Sequence, residues 1–428
     1  MVRSKFMIIY LCAACMLITA LLVSGCSSPA PSPTPAKPPA TTAAPATTAA
    51  PKASPSPSPS PAAKPAYKLP SPVVSASLDV GSGGYVMAVA IADAMQKEKG
   101  ITLRVVPVGT DVGRTTLLSS GRAHVLFQGF GAYAAFEGVQ GFDAMELGPQ
   151  PLQLINAGLP TMGSLSVTAK DANIKTWADL KGKRVAYIDG YPAVSSHSDA
   201  TIAFAGLTWD DVKKVKFTSF GAMGRGMIEG TVDVGTCSTT SAYVYELASS
   251  PRGVQWVPYP HADTEGWKRM NAIMPILTRA IVTQGAGLSK DNKLEGSTYP
   301  NPHLITSATA DPEFVYQMTK LMVELYPIYG KAQAPGIDQF DPERLILDYV
   351  MPYHEGAVRY YKEIGKWTAA AQKNNDVMLN RQKILFSAWE EALSQAAIQK
   401  VQAADFPKFW MNLRAKRLEA AGLPAYFK

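Results

Sequence analysis

The 428-residue sequence has few cysteines and histidines, and this scarcity excludes several classes of site. Of its four cysteines, Cys12 and Cys15 lie in an N-terminal apolar run, which leaves Cys26 and Cys237. The five histidines are dispersed, and no H-E-x-x-H sequence suggests a zinc site. No G-x-S-x-G sequence provides the nucleophile elbow of a serine hydrolase. We therefore expect neither an enzyme nor a metal or other cofactor.

Charge also limits the partners of the chain. The formal net charge is +7, but charges of both signs alternate along the sequence and no basic tract occurs. A protein that binds nucleic acid usually concentrates lysine and arginine on one segment or face. We expect no nucleic-acid partner, and at most a weak preference for anionic ligands.

The N-terminus has the pattern of an export signal. Two basic residues precede an apolar run from Phe6 to Leu22, and Val23-Ser24-Gly25-Cys26 follows. This order predicts a secretory signal over residues 1–25. Small residues that lead directly into a cysteine resemble a bacterial lipobox, which implies a lipid on Cys26 and an extracytoplasmic, membrane-anchored protein. Cys237 then has no partner for a disulfide. An uncleaved membrane span is disfavoured because the run is short and lacks a basic flank after it.

A long segment without a foldable composition follows the cysteine. Thirteen prolines and no aromatic or acidic residue occur between Ser27 and Ala66. Such a composition buries too little apolar surface to fold. We interpret residues 26–69 as a lipidated cysteine and a disordered tether that reaches on the order of 100 Å.

The remaining residues alternate between short apolar runs and helical patterns. A strand is predicted over Val73–Val80, a helix over Val86–Lys97, and Gly100 ends that helix. The same alternation restarts after residue 165, where Thr176 and Thr208 precede short helical turns. This pattern predicts an α/β fold of two lobes with a cleft between them. We expect residues 70–165 and 305–428 to form one lobe and residues 166–304 the other.

The stretch "LDVGSGGYVMAVAIADAM" joins the first strand to the first helix. The glycines from Gly81 to Gly84 point backbone N–H groups and a helix N-terminus at a ligand, which suits an anion. A nucleotide is disfavoured because Val86 occupies the third glycine position of G-x-G-x-x-G and no G-K-[ST] follows. We expect Gly84→Val to abolish binding and to leave the stability of the fold nearly normal.

Five motifs resemble those of one family when they are taken in order. They are "VGSGGYVMAVAIADAM", "PVGTDVGRTTLLSSGRAHVLFQ", "DLKGKRV", "AGLTWDDVK" and "YHEGAVRYYKE". Over Val73–Trp367 the chain resembles the TAXI solute-binding proteins of tripartite ATP-independent periplasmic (TRAP) transporters. That resemblance implies a type II periplasmic-binding-protein fold that closes on a carboxylate or amino acid. It also implies delivery of the solute to a TRAP-type membrane permease, which an ion gradient drives.

The resemblance and the expected strand ends together suggest a set of ligand-binding residues. Arg114 stands where the family commonly has asparagine, and its planar fork could hold a carboxylate. Residues Ala193–Ser196 replace a G-S-G-T turn but keep hydroxyl groups. The residues predicted to bind the ligand are Ser82, Gly83, Gly84, Tyr85, Arg114, Gln128, Tyr191, Ser195, Ser196, Thr236 and Thr239.

Two other functions remain open from the residues alone. A type II fold also serves ATP-binding-cassette importers, so the permease could be of that type. After Trp367 the chain adds a predicted helical extension, and its apolar face consists of Ile384, Leu385, Ala388, Trp389 and Leu393. That face could bind a partner protein, which would make the chain a ligand sensor or scaffold. More often such a face packs on the lobe of its own chain.

Overall fold

A computed structural model describes residues 67–427. The strands are β1 (Val73–Ser77), β2 (Leu103–Pro107), β3 (Val125–Gln128), β4 (Leu152–Asn156), β5 (Ser164–Ala169), β6 (Arg184–Ile188), β7 (Lys213–Phe217), β8 (Val234–Ser238), β9 (Val254–Gln255), β10 (Thr278–Val282), β11 (Leu294–Thr298) and β12 (His303–Ser307). The helices are α1 (Gly83–Lys99), α2 (Asp111–Ser119), α3 (Phe130–Glu137), α4 (Pro192–Phe204), α5 (Phe220–Glu229), α6 (Ala242–Ser249), α7 (Thr264–Ile273), α8 (Pro312–Glu324), α9 (Tyr326–Tyr329), α10 (Glu355–Glu363), α11 (Ala369–Gln399) and α12 (Phe406–Ala420).

Two five-stranded sheets organise the chain, and both follow one plan. The first has the order β2-β1-β3-β12-β4, and the second has the order β7-β6-β8-β5-β9. In each sheet four strands run in one direction, and the fifth, β12 or β5, runs antiparallel to them. We call the first sheet with the helices packed on it the first lobe, and the second sheet with its helices the second lobe. The α/β fold of two lobes expected from the sequence is confirmed, and it has the type II periplasmic-binding-protein plan.

The chain passes between the sheets twice. It leaves the first sheet after Asn156 and enters the second at Ser164, and it returns between Thr298 at the end of β11 and His303 at the start of β12. β12 then inserts between β3 and β4 in the first sheet. The lobe boundaries predicted at 165 and 305 stay a proposal.

Local signals place the helix ends. Gly100 ends α1 in the left-handed region, with φ 65°, where a residue without a Cβ has no steric cost. Thr176 and Thr208 each form a capping box with an aspartate three residues later, as their positions before short helical turns indicate.

The first strand and helix differ from their predicted bounds. β1 ends at Ser77, three residues early, where its partner in β2 is Pro107. Proline has no N–H group and cannot extend the ladder. α1 begins at Gly83, three residues before the predicted start, because Ser82 is its N-cap and the Ser82 hydroxyl accepts from the N–H of Tyr85. Gly83 and Gly84 therefore form the first helical turn.

The C-terminal helices pack on the first lobe through a buried charge cluster. Glu137 of α3 accepts two hydrogen bonds from Arg381 of α11, at 2.6 and 2.9 Å, and a further one from Arg414 of α12. All three side chains are at most 3% exposed. Leu385 and Ala388, on the face considered above for a partner protein, are also buried. The extension is thus fixed to the end of α3.

Among residues 67–427, no helix is long and apolar enough to cross a membrane. Within the same range, no group of histidine, cysteine and acidic residues is placed to hold a metal ion. The predicted lipidation site Cys26, the predicted signal segment and most of the predicted tether lie outside the described residues.

Candidate functional site

A small cavity lies where the two lobes meet. Its lining combines residues that follow β1, β6 and β8 with residues at the two chain crossings, including Ser82, Tyr191, Ser238 and Asn301. The cavity volume is about 30 Å³, whereas pockets for small molecules usually measure about 300–1,000 Å³. The lobes are therefore closed, with room for little more than water between them.

The N-terminus of α1 forms the first-lobe side of the cavity. Ser82, Gly83 and Gly84 line it, whereas the half-buried Tyr85 does not. The Ser82 hydroxyl donates to the carbonyl of Asp79 at 2.7 Å and accepts from the N–H of Tyr85 at 3.2 Å. The first N–H groups of a helix have no partner within it, so those of Gly83 and Gly84 are available to a ligand.

The two glycines differ in what a side chain would meet. A Cβ on Gly84 would lie 2.7 Å from Cδ1 of Leu78 and 3.3 Å from Cγ of Pro302, within the first lobe. A Cβ on Gly83 would lie 3.7 Å from Oγ1 of Thr240, in the second lobe. Gly84→Val would therefore disturb the packing of the fold, contrary to the expectation of near-normal stability. A side chain on Gly83 would meet only contacts of ordinary length, because the next nearest atoms, Cε of Met87 and the carbonyl oxygen of Pro335, are both 3.9 Å away.

On the second-lobe side, Tyr191 and Thr236 line the cavity, but three predicted hydroxyl groups do not. The Ser195 hydroxyl donates at 2.7 Å to the carbonyl of the last residue of β6. Ser196 donates to the side chain of Gln140 at 2.8 Å. Thr239 donates to the carbonyl of Gln284 at 2.5 Å. These hydroxyl groups hold loops and helix ends in place, so they stand behind the cavity wall.

Gln128 likewise lies outside the lining. Its side chain is fully buried, and its Nε2 donates to Oγ1 of Thr115 at 3.2 Å. Its backbone carbonyl lies 2.9 Å from Nδ1 of His303 on the neighbouring strand. The residue ends β3 as predicted, but its amide is used to fix α2 on the sheet.

Arg114, which was predicted to bind the ligand, does not line the cavity. The side chain is fully buried behind the cavity, forms an ion pair with Asp111 and donates to the carbonyl of Val108 at 2.6 Å. Its guanidinium carbon lies 4.9 Å from the centre of the Tyr191 ring, within cation–π range. The charge of Arg114 is thus balanced by the protein itself.

Asp111 connects the two lobes. One carboxylate oxygen pairs with Arg114, and the other accepts at 3.0 Å from the N–H of Ala193, in the first turn of α4. Burial raises the pKa of Asp111 above its ordinary value, and the neighbouring Arg114 guanidinium opposes that rise. A helix N-terminus favours a negative group, so the first lobe supplies its own anion to α4 of the second.

Three lining residues carry unpaired polar atoms and were not predicted to bind ligand. These atoms are Oγ of Ser164, Nε2 of His197 and Oδ1 of Asn301, and each is buried without a hydrogen-bond partner. Burial lowers the pKa of His197 to about 4, against the effect of the Ala193 and Ser164 backbone. His197 was visible in sequence only as a histidine beside serines, and Asn301 gave no signal.

Two solved structures illustrate how remote the likeness is among those compared with this chain. The alkanesulfonate-binding protein SsuA from Xanthomonas axonopodis pv. citri, bound to MOPS, is 15% identical, with 72% of this chain and 84% of that chain covered and a TM-score of 0.39. An ancestral arginine-binding protein bound to arginine is 16% identical over 62% of this chain and 96% of its own, with a TM-score of 0.36. TM-scores of this size carry no inference about the ligand of this chain.

The family comparison covers about two thirds of the sequence. The family model matches residues 79–365, from the end of the first strand region to the end of α10. The matched range includes both sheets apart from β1, and every residue predicted to bind the ligand. On this match, the chain belongs to the NMT1-like family.

Proposed function

We propose that this protein is a solute-binding receptor that closes its two lobes on a small organic anion. The observation that supports it most is the cavity at the meeting point of two sheets with one plan, lined by the N-terminus of α1. Ligands of open α/β sheets collect at the carboxyl ends of strands. The first turn of α1 offers two free N–H groups there, and a helix N-terminus favours a carboxylate or another anion.

The proposal includes export and anchoring. The signal over residues 1–25 would direct the chain across the membrane, and a lipid on Cys26 would hold it at the outer surface or the periplasmic side. The Pro-rich segment over residues 26–69 would let the lobes move away from the anchor. These features rest on the sequence, because that part of the chain lies outside the described residues.

The permease that receives the solute is proposed from the resemblance to the TAXI proteins. A TRAP-type permease driven by an ion gradient is the partner that this resemblance implies, and an ATP-binding-cassette importer is the alternative. A large multi-span permease encoded beside this protein, without an ATPase, would favour the first. An adjacent ATPase would contradict it.

A thermal-shift screen tests the receptor function directly. The full chain is heated with carboxylates, amino acids and sulfonates in turn. A ligand at about 100 times its dissociation constant should add about 2.7 kcal/mol to the free energy of unfolding. The matched control is Gly83→Val, which places a side chain on the first turn of α1, beside the N–H groups proposed to bind the anion, where a Cβ meets only ordinary contacts. We expect this variant to unfold at the wild-type temperature without ligand and to lose the shift. If no small anion stabilises the wild type, the proposal fails.

A further inference from the structure

Three residues that line the cavity carry a buried polar atom without a hydrogen-bond partner. Ser164 and His197 are 1% exposed, and Asn301 lies at the second crossing between the lobes. Buried polar groups are normally hydrogen-bonded, and each exception requires an explanation. Three such atoms line a single cavity at a lobe interface, which in this closed form has room for little more than water. A ligand that enters the cleft would have to supply hydrogen-bond partners for them.

The hydrogen-bonding role of His197 follows from its surroundings. Its Nδ1 lies 2.7 Å from the carbonyl oxygen of Ala193, and a carbonyl can only accept. The proton of the neutral ring is therefore assigned to Nδ1, which leaves Nε2 as an acceptor, although the Ser164 backbone also favours the protonated ring. The low pKa of His197, about 4, keeps the ring in this neutral form near pH 7.

Asn301 presents an acceptor as well. Its Nδ2 lies 3.5 Å from Oγ of Ser238, and its Oδ1 has no partner. The backbone of Asn301 is fixed on both sides by Gln339, which accepts from its N–H at 2.9 Å and donates to its carbonyl at 3.0 Å. The backbone of Asn301 is thus fixed at the cavity, and its Oδ1 lies close to Gly129. The hydroxyl of Ser164 can donate or accept a hydrogen bond.

The cavity also lacks a counter-charge for a ligand cation. No described residue that lines it is aspartate, glutamate, lysine or arginine. The nearby carboxylate of Asp111 is already paired with Arg114. An ammonium group placed against these acceptors would be buried without an anion from the protein, with only the ligand's own carboxylate near it, which costs more free energy than burying a neutral donor.

We propose that Nε2 of His197 and Oδ1 of Asn301 receive a neutral hydrogen-bond donor of the ligand. This inference rests on the proposed solute-binding function, and it narrows the ligand class. The solute is a small acid that carries a hydroxyl or an amide N–H group. Its anionic group meets the first turn of α1, and the single proton of its neutral donor is shared between the two acceptors. Oxo acids lack that donor, and amino acids bring an ammonium group instead.

Matched acids test this selectivity. Calorimetric titration of the full-length protein compares lactate, pyruvate and alanine, and then 2-hydroxyglutarate, 2-oxoglutarate and glutamate. One of the two sets should match the size of the site, and within that set we expect the hydroxy acid to bind most tightly. His197→Phe and Asn301→Leu should each weaken hydroxy-acid binding roughly 2- to 13-fold, the range for one neutral hydrogen bond. Neither should change the affinity for the oxo acid.

Two further variants keep the test decisive if one of these fails to fold. Asn301→Asp adds a carboxylate to the cavity, and it should raise the affinity for the amino acid relative to the hydroxy acid. Tyr349→Phe is the matched control, because its hydroxyl is also buried and unpaired but lies outside the cavity lining. It should leave all affinities unchanged.

The outcomes separate the inference from the proposed function. If the oxo acid or the amino acid binds as tightly as the hydroxy acid, the inference is wrong and the receptor function stands. The same holds if the variants weaken hydroxy and oxo acids equally. If none of the six acids binds, the small-acid receptor function and the inference fail together.

Discussion

The carboxylate of Asp111 makes a hydrogen bond between the lobes, and replacing one of its oxygens with an amide nitrogen should weaken that bond. In Asp111→Asn the side chain keeps its shape and can still accept from the N–H of Ala193, but without a negative charge. The contact to α4 then changes from a charge-assisted hydrogen bond to a neutral one. We expect the closed arrangement of the lobes to become less populated when no ligand is present.

The size of the effect follows from the two kinds of bond. A hydrogen bond to a charged group contributes about 1.5–3 kcal/mol, and a neutral one about 0.5–1.5 kcal/mol. The difference of about 1–1.5 kcal/mol corresponds to about a 5- to 12-fold lower ratio of closed to open protein. The substitution also leaves the fully buried Arg114 without a counter-charge, which should lower the free energy of unfolding by about 3–5 kcal/mol.

The double variant Asp111→Asn with Arg114→Met separates opening from destabilisation. Removing the cation should restore most of the free energy of unfolding, measured by urea denaturation, but not the charged contact to α4. Small-angle X-ray scattering without ligand should then show a larger radius of gyration for both variants than for the wild type. Scattering curves that superimpose on the wild type would refute the role of Asp111 in closure.

Three other predictions concern stability and anchoring. Glu137→Gln leaves two buried arginines without an anion, so it should lower the free energy of unfolding by about 3–5 kcal/mol. Its control, Glu391→Gln at an exposed ion pair, should change it little; equal losses in urea denaturation would contradict this. Burial lowers the pKa of both His197 and His303 to about 4, so the unfolded chain binds more protons between about pH 6.5 and pH 4. The free energy of unfolding should therefore fall as the pH is lowered from about 6.5 to about 4, by on the order of 3 kcal/mol per histidine. A free energy of unfolding that does not change over this pH range would contradict the lowered pKa values. Cys26→Ser should leave the protein unprocessed or released from membranes on fractionation, whereas normal retention would refute the lipobox.

The secondary structure was largely predictable because its signals are local. The apolar runs, the capping threonines before short turns and the glycine that ends α1 each act within a few residues of the chain. The early start of α1 could also have been read from Ser82, which is a strong N-cap residue. The end of β1 could not, because it depends on Pro107, a partner thirty residues away on the neighbouring strand.

The cavity was less predictable because its lining depends on which hydroxyl groups the fold uses for itself. Ser195 and Ser196 follow a strand, as ligand-binding residues often do, but their hydroxyls bond to the backbone of β6 and to Gln140. Asn301 enters the lining from the second crossing, and its orientation depends on Gln339, 38 residues further along the chain. Neither fact is encoded in a local motif.

The helix that carries Ser195 has an anion at its N-terminus that was not predicted from the sequence. A helix N-terminus between two lobes attracts an anion, and α4 has one, the carboxylate of Asp111 from the first lobe. In the closed form the N–H group of Ala193 is therefore already hydrogen-bonded to Asp111 and is not available to a ligand. A bound solute must then place its anionic group on α1, where Gly83 and Gly84 remain free, or displace Asp111 from α4. If it displaces Asp111, Asp111→Asn should strengthen ligand binding; if it uses α1, the substitution should weaken binding, because it weakens closure alone.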